Sequence, residues 1–265
     1  MNILVCVKQV PDTTEVKLDP KTGTLIRDGV PSIINPDDKA GIEEAVILKE
    51  KMGATVTVLT MGPPQAKNAL KEAIAMGADR AILLTDRAFA GADTLATSKT
   101  IAGAIKKLDY DLIIAGRQAI DGDTAQVGPQ IANHLDIPSI TYVEKLEVED
   151  GHVIVNRAFE DGHQVIKAKM PLLITTLKEM NTPRYMRVSR IYDCMREDNI
   201  ETWTLKDIDV CLEEIGLKGS PTKVKKSFTK GVKAKGTLYN VDEKEGASII
   251  VNALKEKFII TEAKA

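Results

Sequence analysis

The sequence predicts an α/β protein: a doubly wound, mostly parallel sheet with an antiparallel β insertion and an extended C-terminal arm. Three observations carry this. Short apolar runs rich in β-branched residues recur at 2–8, 54–60, 80–85 and 110–115, as expected of parallel strands covered on both faces. Segments with helical spacing fall between them, which implies right-handed strand–helix–strand units. After Pro138 the apolar period drops to two, with turn signals at Glu149-Asp150-Gly151 and Asp161-Gly162, the mark of an antiparallel meander.

Taken in order, NILVCVK opens the chain as a first strand, because no charged region leads into a long apolar stretch as in a signal peptide. A helix follows from about Asp38 to Met52, with Ile42, Ala45 and Val46 on one face and Gly53 as its stop. ATVTVLT is the second strand. The next helix opens at Pro64, a favoured first position, and closes at Gly77. RAILLT is the third strand. A helix from about Asp93 then places Ile101, Ala102, Ile105 and Leu108 on a core stripe. YDLIIA is the fourth strand. The helix after it starts near Asp123, with Asp123 and Gln126 as a capping pair, and Pro129 delays its regular part to Val127–Gly128. The meander spans 139–169, and LLITTL after Pro171 is the last strand of the main sheet. Residues 1–190 therefore form the α/β domain and 191–265 the arm.

Within the arm, residues 217–236 hold seven lysines and no acid, interrupted by Gly and Pro. With no RNA-binding fold around it, this reads as a solvated linker, not a nucleic-acid site. Asp242-x-x-Glu245 is a capping pattern for a helix over 243–258. Its apolar stripe is Ala247, Ile250, Val251, Leu254 and Phe258. That stripe has to be buried, on the chain's own domain or on another chain. The loose tether favours docking, which makes the protein a subunit.

Composition excludes several classes. Acids outnumber Lys and Arg by 38 to 36, a net charge of −2, so no overall field draws the chain to nucleic acid or membrane. No apolar run approaches the ~18 residues of a membrane span. Cys6, Cys194 and Cys211 are scattered, as are His134, His152 and His163. This suits a reducing, cytoplasmic setting and argues against a metal site.

In an open parallel sheet, ligands bind beyond the carboxyl ends of strands where the strand order reverses. The segments leaving the predicted strand ends share a chemistry. They are Cys6-Val7-Lys8-Gln9, then Thr60-Met61-Gly62-Pro63-Pro64, then Gly91-Ala92-Asp93-Thr94 with Thr97 and Ser98 one turn on. The fourth is Gly116-Arg117-Gln118-Ala119-Ile120-Asp121-Gly122-Asp123-Thr124. Glycines admit a ligand close to the backbone, and hydroxyls with helix N-terminal N–H groups donate to phosphate. Neither G-x-G-x-x-G nor G-x-x-x-x-G-K-[ST] is present. Asp121 and Asp123 could be a catalytic pair, part of a structural turn, or part of a nucleotide loop. No nucleophile, His or metal cluster accompanies them, so the nucleotide loop is the preferred reading, with Arg117 as charge partner to the acids or to a phosphate.

Gly116-Arg117-Gln118-Ala119-Ile120-Asp121-Gly122-Asp123-Thr124-Ala125-Gln126-Val127 closely resembles the signature loop of the small (beta) subunits of electron-transfer flavoproteins. Val7-Lys8-Gln9-Val10-Pro11-Asp12, Ile34-Asn35-Pro36-Asp37, Ala75 to Ala81 and Pro183-Arg184-Tyr185 match in the same order. The resemblance implies a flavodoxin-like or adenine-nucleotide-binding strand order and a large (alpha) subunit carrying an FAD. It also implies a C-terminal segment that packs on that subunit. Carried over by position, Cys6, Asn35, Pro36, Asp37, Asp38, Met61 and Gly116 to Val127 line a nucleotide site. Gly62, Gly91 and Ala92 leave space there, Thr94, Thr97 and Ser98 offer hydroxyls to a pyrophosphate, and the Asp93-Thr94-x-x-Thr97-Ser98 run places Asp93 in the site with them. The alternative is that Thr97 and Ser98 simply occupy a polar helix face.

The slot holds AMP in ordinary members and a second FAD in electron-bifurcating ones. The Asp93 and Asn35 segments resemble the bifurcating kind. FAD is therefore the expected cofactor, with AMP as the alternative and NADH as the electron donor. Expected partners are the large subunit, an acyl-CoA dehydrogenase, and ferredoxin or flavodoxin. Pro183, Arg184, Tyr185 and Val188 are similar in place to the family's dehydrogenase-recognition loop, with Val188 where a leucine is usual. The same segment can also be read as a plain linker.

Overall fold

The computed structural model describes residues 1–12, 31–196, 199–225, 236–257 and 259. The chain divides into two units, 1–227 and 228–265. In the first, β1 (Asn2–Cys6) leads to a small antiparallel pair, β2 (Gln9–Pro11) with β3 (Ser32–Ile34). Helix α1 (Pro36–Met52) opens with Pro36 in its first turn and the acids Asp37 and Asp38 at the positive end of its dipole. It closes on Gly53 at φ 69°, whose N–H donates to the Lys49 carbonyl. Next come β4 (Thr55–Met61), a 3₁₀ turn at Pro64–Ala66, α2 (Lys67–Met76) and β5 (Arg80–Leu84). Helix α3 (Thr94–Ile105) is capped by Asp93, and β6 (Leu112–Gly116) and α4 (Val127–Leu135) follow. The unit continues through β7 (Ser139–Glu149), β8 (His152–Phe159), β9 (Gly162–Lys169), β10 (Leu172–Thr176), α5 (Val188–Arg196) and β11 (Ile200–Trp203).

Nine strands join in one sheet, ordered β11-β5-β4-β1-β6-β10-β7-β8-β9. Pairing is parallel from β11 to β7 and antiparallel across β8 and β9. Alternation sorts the strand residues onto two cores. Ile3, Val5, Val56, Val58 and Ile114 pack with α1 and α2. Leu4, Cys6, Leu59, Ile113 and Leu173 pack with α3 and α4. The sheet is doubly wound, as the apolar runs required.

Some details of the fold differ from the expectation. Of the two strand orders expected, the flavodoxin-like 2-1-3-4-5 is not the one found: the five main strands run 3-2-1-4-5 (β5-β4-β1-β6-β10), a nucleotide-binding order that reverses between β1 and β6. β7 pairs with β10 before it turns into the hairpins, so the insertion prolongs the main sheet. LLITTL is not the last strand of the main sheet, and the α/β unit does not end at 190. β11 returns to the opposite edge and pairs with β5, Ile200 beside Ala81 through Trp203 beside Leu84. Finally, α4 has Gln126 at its N-cap with no side-chain cap, and Asp123 is engaged by Gln118 instead. Pro129 sets that helix start, as its missing N–H demands.

In the second unit, α6 (Glu243–Glu256) is capped by the Asp242 carboxylate, which accepts from the Glu245 N–H at 2.9 Å. Phe258 and linker residues 226–235 lie outside the described residues.

Candidate functional site

The reversal of strand order places the C-terminal ends of β1 and β6 side by side, Cys6 paired with Ala115. Helix α1 covers one face of this point and α4 the other. The chain returning from β3 reaches α1 through Asn35, which is fully buried. Its Nδ2 donates to the Gln118 carbonyl at 2.9 Å and to Asp38 Oδ1 at 3.1 Å, while its Oδ1 accepts from the Ile120 N–H at 3.1 Å. One carboxamide thus brackets the loop after β6 to the start of α1. Gly116 makes the close approach possible. A methyl there would overlap Asp38 Oδ1 and lie 2.9 Å from Asp37 Cβ and from the Asp38 nitrogen.

Both acids of the first turn are buried. Asp38 Oδ2 accepts from the Lys8 N–H at 2.7 Å. Burial first, with the neighbouring Asp37 charge, pushes its carboxyl up to about 7 against the hydrogen bonds from Asn35 and Lys8. Asp37 Oδ1 accepts from the Lys178 N–H at 3.0 Å, and its carbonyl accepts from the Thr176 hydroxyl at 3.0 Å. Its acidity is also weakened by burial, opposed by the Arg117 guanidinium, whose Nε lies 3.5 Å from Asp37 Oδ2. Cys6, buried beside Asp38, has its thiol pushed up to about 12, by burial first and then by that carboxylate. Such a thiol is not a nucleophile.

The loop from Arg117 to Gln126 is organised from within. The Ala119 carbonyl accepts from the N–H groups of Gly122 and Asp123. Gln118 Nε2 donates to Asp123, and Lys8 Nζ lies 2.6 Å from Asp121 Oδ1. Asp123 and Ala125 both take left-handed backbone, φ 56° and 53°, rare for residues with a Cβ. Gly122, Asp123 and Thr124 are exposed. At the far end Thr94 Oγ1 donates to Gln126 Oε1 at 3.0 Å, joining the start of α3 to the start of α4. Met61 ends β4 two strands from β6, with Gly62 packed close to Ala66.

Some residues expected in the slot are engaged elsewhere. Asp93 caps α3 through the Ala96 N–H, and its other oxygen accepts from the Thr222 N–H and hydroxyl at 3.0 and 2.7 Å. The space over Gly91 is taken by Leu217. The Ser98 hydroxyl is buried between α3 and α4, bonded to the Leu95 carbonyl, Gln130 and His134. Thr97, in the first turn of α3, is half-buried.

The electron transfer flavoprotein domain model matches residues 22–208 of this chain. A relative from Clostridium acetobutylicum, "Electron transfer flavoprotein subunit beta", is 62% identical over 260 residues, covering 98% of this chain and all of that one. The chain belongs to the electron transfer flavoprotein family, among its small (beta) subunits. A beta subunit implies an alpha-subunit partner. The "Caffeyl-CoA reductase-Etf complex subunit CarD" of Acetobacterium woodii is 55% identical over 263 residues, covering 98% of this chain and 100% of that one. The "Acryloyl-CoA reductase electron transfer subunit gamma" of Anaerotignum propionicum is 47% identical over 268 residues, with the same coverage.

In this flavoprotein subunit the segment expected to meet a dehydrogenase divides into anchor and surface. The Arg184 guanidinium is forked onto Glu43 at 3.0–3.1 Å and onto Glu50 at 2.6 and 3.0 Å. These acids raise its pKa. Arg184 therefore fastens the segment to α1. Tyr185 and Val188 are 97% and 81% exposed, and Pro183 lies at the rim of a small cavity with Ile34, Pro36 and Lys178. A larger cavity, about 340 Å³, lies between α3, His134 and residues 209–215, away from the crevice.

Three contributors were not legible in advance: Thr176 and Lys178 beside Asp37, and Tyr142, which lies beside Arg117. The threonine hydroxyls inside LLITTL were the available signal, because a buried hydroxyl has to find a partner. Tyr142 gave none. Among the described residues no helix is long and apolar enough to cross a membrane.

Proposed function

We propose that the crevice holds FAD by its adenosine diphosphate portion, and that the chain is the NADH-oxidising half of an electron-bifurcating electron-transfer flavoprotein. Electrons pass to the FAD of the alpha subunit and an acyl-CoA dehydrogenase on one branch, and to ferredoxin or flavodoxin on the other. The observation that carries this is the Asn35 bracket, which fixes an open, glycine-bearing loop at the point where the strand order reverses.

The residues present fit a phosphate-bearing ligand. Carboxylates that would repel it are already engaged: Asp121 by Lys8, Asp123 by Gln118, and Asp37 and Asp38 by backbone N–H groups. Arg117 Nε is buried without a hydrogen-bond partner, and α4 begins without a side-chain cap, which leaves donors for an anion. Thr94 and Gln126 close the rim. The flavin supplies hydride uptake and single-electron release; the chain supplies position and the surrounding field. The reductase complexes named among the relatives support the bifurcating reading.

AMP is the second reading, favoured by Leu217 over Gly91 and by the commitment of Asp93 to Thr222, which leave less room beside α3. Counting flavins in the purified heterodimer decides. Two FAD per heterodimer is the expected result, and one FAD with one AMP removes bifurcation.

The partner surface is Tyr185 and Val188, held out by Arg184. Loss of dehydrogenase reduction on Tyr185→Ala with unchanged cofactor content is the expected outcome.

A further inference from the structure

Tyr142 is an outlier in the sheet. It has φ 59° within β7, left-handed backbone that is costly for a bulky residue. The ladder toward β10 shifts register across it, between the pairs Ile140–Ile174 and Val143–Thr176, and a second shift toward β8 follows directly, between Val143 and Lys145. Its N–H donates to the Thr175 hydroxyl at 3.1 Å. The bulge therefore has a side-chain bond that holds it, as a feature maintained by the surrounding structure has to have.

The bulge delivers an aromatic ring to Arg117. Val143 pairs with Thr176, and Thr176 with Gly116, so Tyr142 sits level with the end of β6. The Arg117 guanidinium lies over the Tyr142 ring at 5.9 Å, within reach of a cation–π contact. Arg117 is held at three other points. Its N–H donates to the Thr176 carbonyl at 2.9 Å, Asp37 is 3.5 Å from its Nε, and the loop that follows is bracketed by Asn35. Asp37 alone would draw the guanidinium down onto α1; the ring offers an opposing seat. Tyr142 is 38% exposed, so packing alone does not account for a strained aromatic at this place.

We propose that Tyr142 is a positioning residue of the nucleotide crevice, seating Arg117 so that the guanidinium receives the phosphate of the bound nucleotide. This rests on the nucleotide reading of the crevice given above. The ring acts through the arginine and makes no contact of its own with the ligand's charge.

The test uses the full heterodimer, stripped of its slot nucleotide and titrated with AMP and with FAD. Tyr142→Asn removes the ring but keeps a residue that tolerates left-handed backbone. It should weaken binding of the nucleotide that the wild type takes up by about 3- to 30-fold, the span of a cation–π contact. Tyr142→Phe keeps the ring and should restore wild-type affinity. On an Arg117→Ala background, Tyr142→Asn should cost nothing further, because a residue acting through another has no effect once that one is gone. Wild-type affinity in Tyr142→Asn, or an equal loss with and without Arg117, overturns the proposal while leaving the crevice reading intact. A wild-type heterodimer that takes up neither AMP nor FAD overturns both.

Discussion

The carboxamide of Asn35 donates to the Gln118 carbonyl at 2.9 Å, tying the entry to α1 to the loop that leaves β6, 83 residues later. Asn35→Ala removes three hydrogen bonds from a buried site and leaves the Gln118 carbonyl and the Ile120 N–H without this partner. The expected cost is about 2–4 kcal/mol, with slot nucleotide lost while unfolding stays cooperative. Urea titration and nucleotide released by acid from the purified complex read both effects. Full nucleotide content in this variant would show that the bracket does not hold the site.

Gly116 and Gly122 look alike in the sequence and differ in space. A methyl on Gly116 overlaps Asp38 Oδ1, whereas one on Gly122 meets nothing nearer than Lys8 Nζ at 3.9 Å. Gly116→Ala should destabilise by about 1–3 kcal/mol through overpacking. Gly122→Ala should stay within about 0.5 kcal/mol, as open surface sites do. Denaturation midpoints measured side by side check the contrast, and equal midpoints refute it.

That contrast is a matter of space and not of residue type, and so is much else in this fold. Strands, their alternation and most helix stops were legible because apolar period and glycine punctuation are local. The edge strand Ile200–Trp203 was not, because four residues carry too little period to stand out, and its partner Ala81–Leu84 is over a hundred residues away. The signature loop was legible as a motif, and the resemblance placed Asn35 and Asp38 with it, yet the hydrogen bonds that support it were not legible. Asn35, Lys8 and Asp38 meet it only through the fold. Asp93 is expected in the slot from its place at the start of α3, where a helix cap and a phosphate-binding N-terminus coincide. In the folded chain it holds Thr222. Tyr142 lies in an alternating strand pattern that gives no sign of a bulge.

Arg184 shows the difference between an anchor and a contact surface. Its guanidinium is shared by Glu43, buried, and Glu50, exposed. Arg184→Ala strands Glu43 in the interior, which should destabilise by about 3 kcal/mol. Adding Glu43→Gln should recover part of that loss by removing the buried charge. Tyr185→Ala, one residue on and almost fully exposed, should leave stability within about 0.5 kcal/mol. Thermal unfolding of the three variants separates the roles. No recovery in the double variant would mean that Arg184 acts through packing and not through charge.

Asp38 makes stability depend on pH in the direction opposite to most surface acids. Its carboxyl titrates near 7 in the fold, through burial, against an ordinary 3.8. Between those values the folded chain keeps a proton that the unfolded chain has released. Stability therefore falls as pH rises across this window, by about 1.4 kcal/mol per pH unit for this group, and is flat above it. Asp38→Asn has no proton to lose. Its fixed cost, from an amide facing the Asn35 amide, is the same at every pH and cancels from the slope. The stability of Asp38→Asn relative to the wild type should therefore improve by about 2–3 kcal/mol between pH 5 and pH 8, measured as urea midpoints. Parallel profiles would mean that Asp38 is ionised throughout, held so by the Lys8 N–H and Asn35 despite its burial. The same ionisation bears on Cys6, whose thiol Asp38 helps to push up, so Asp38→Asn should also make that thiol easier to alkylate above pH 8.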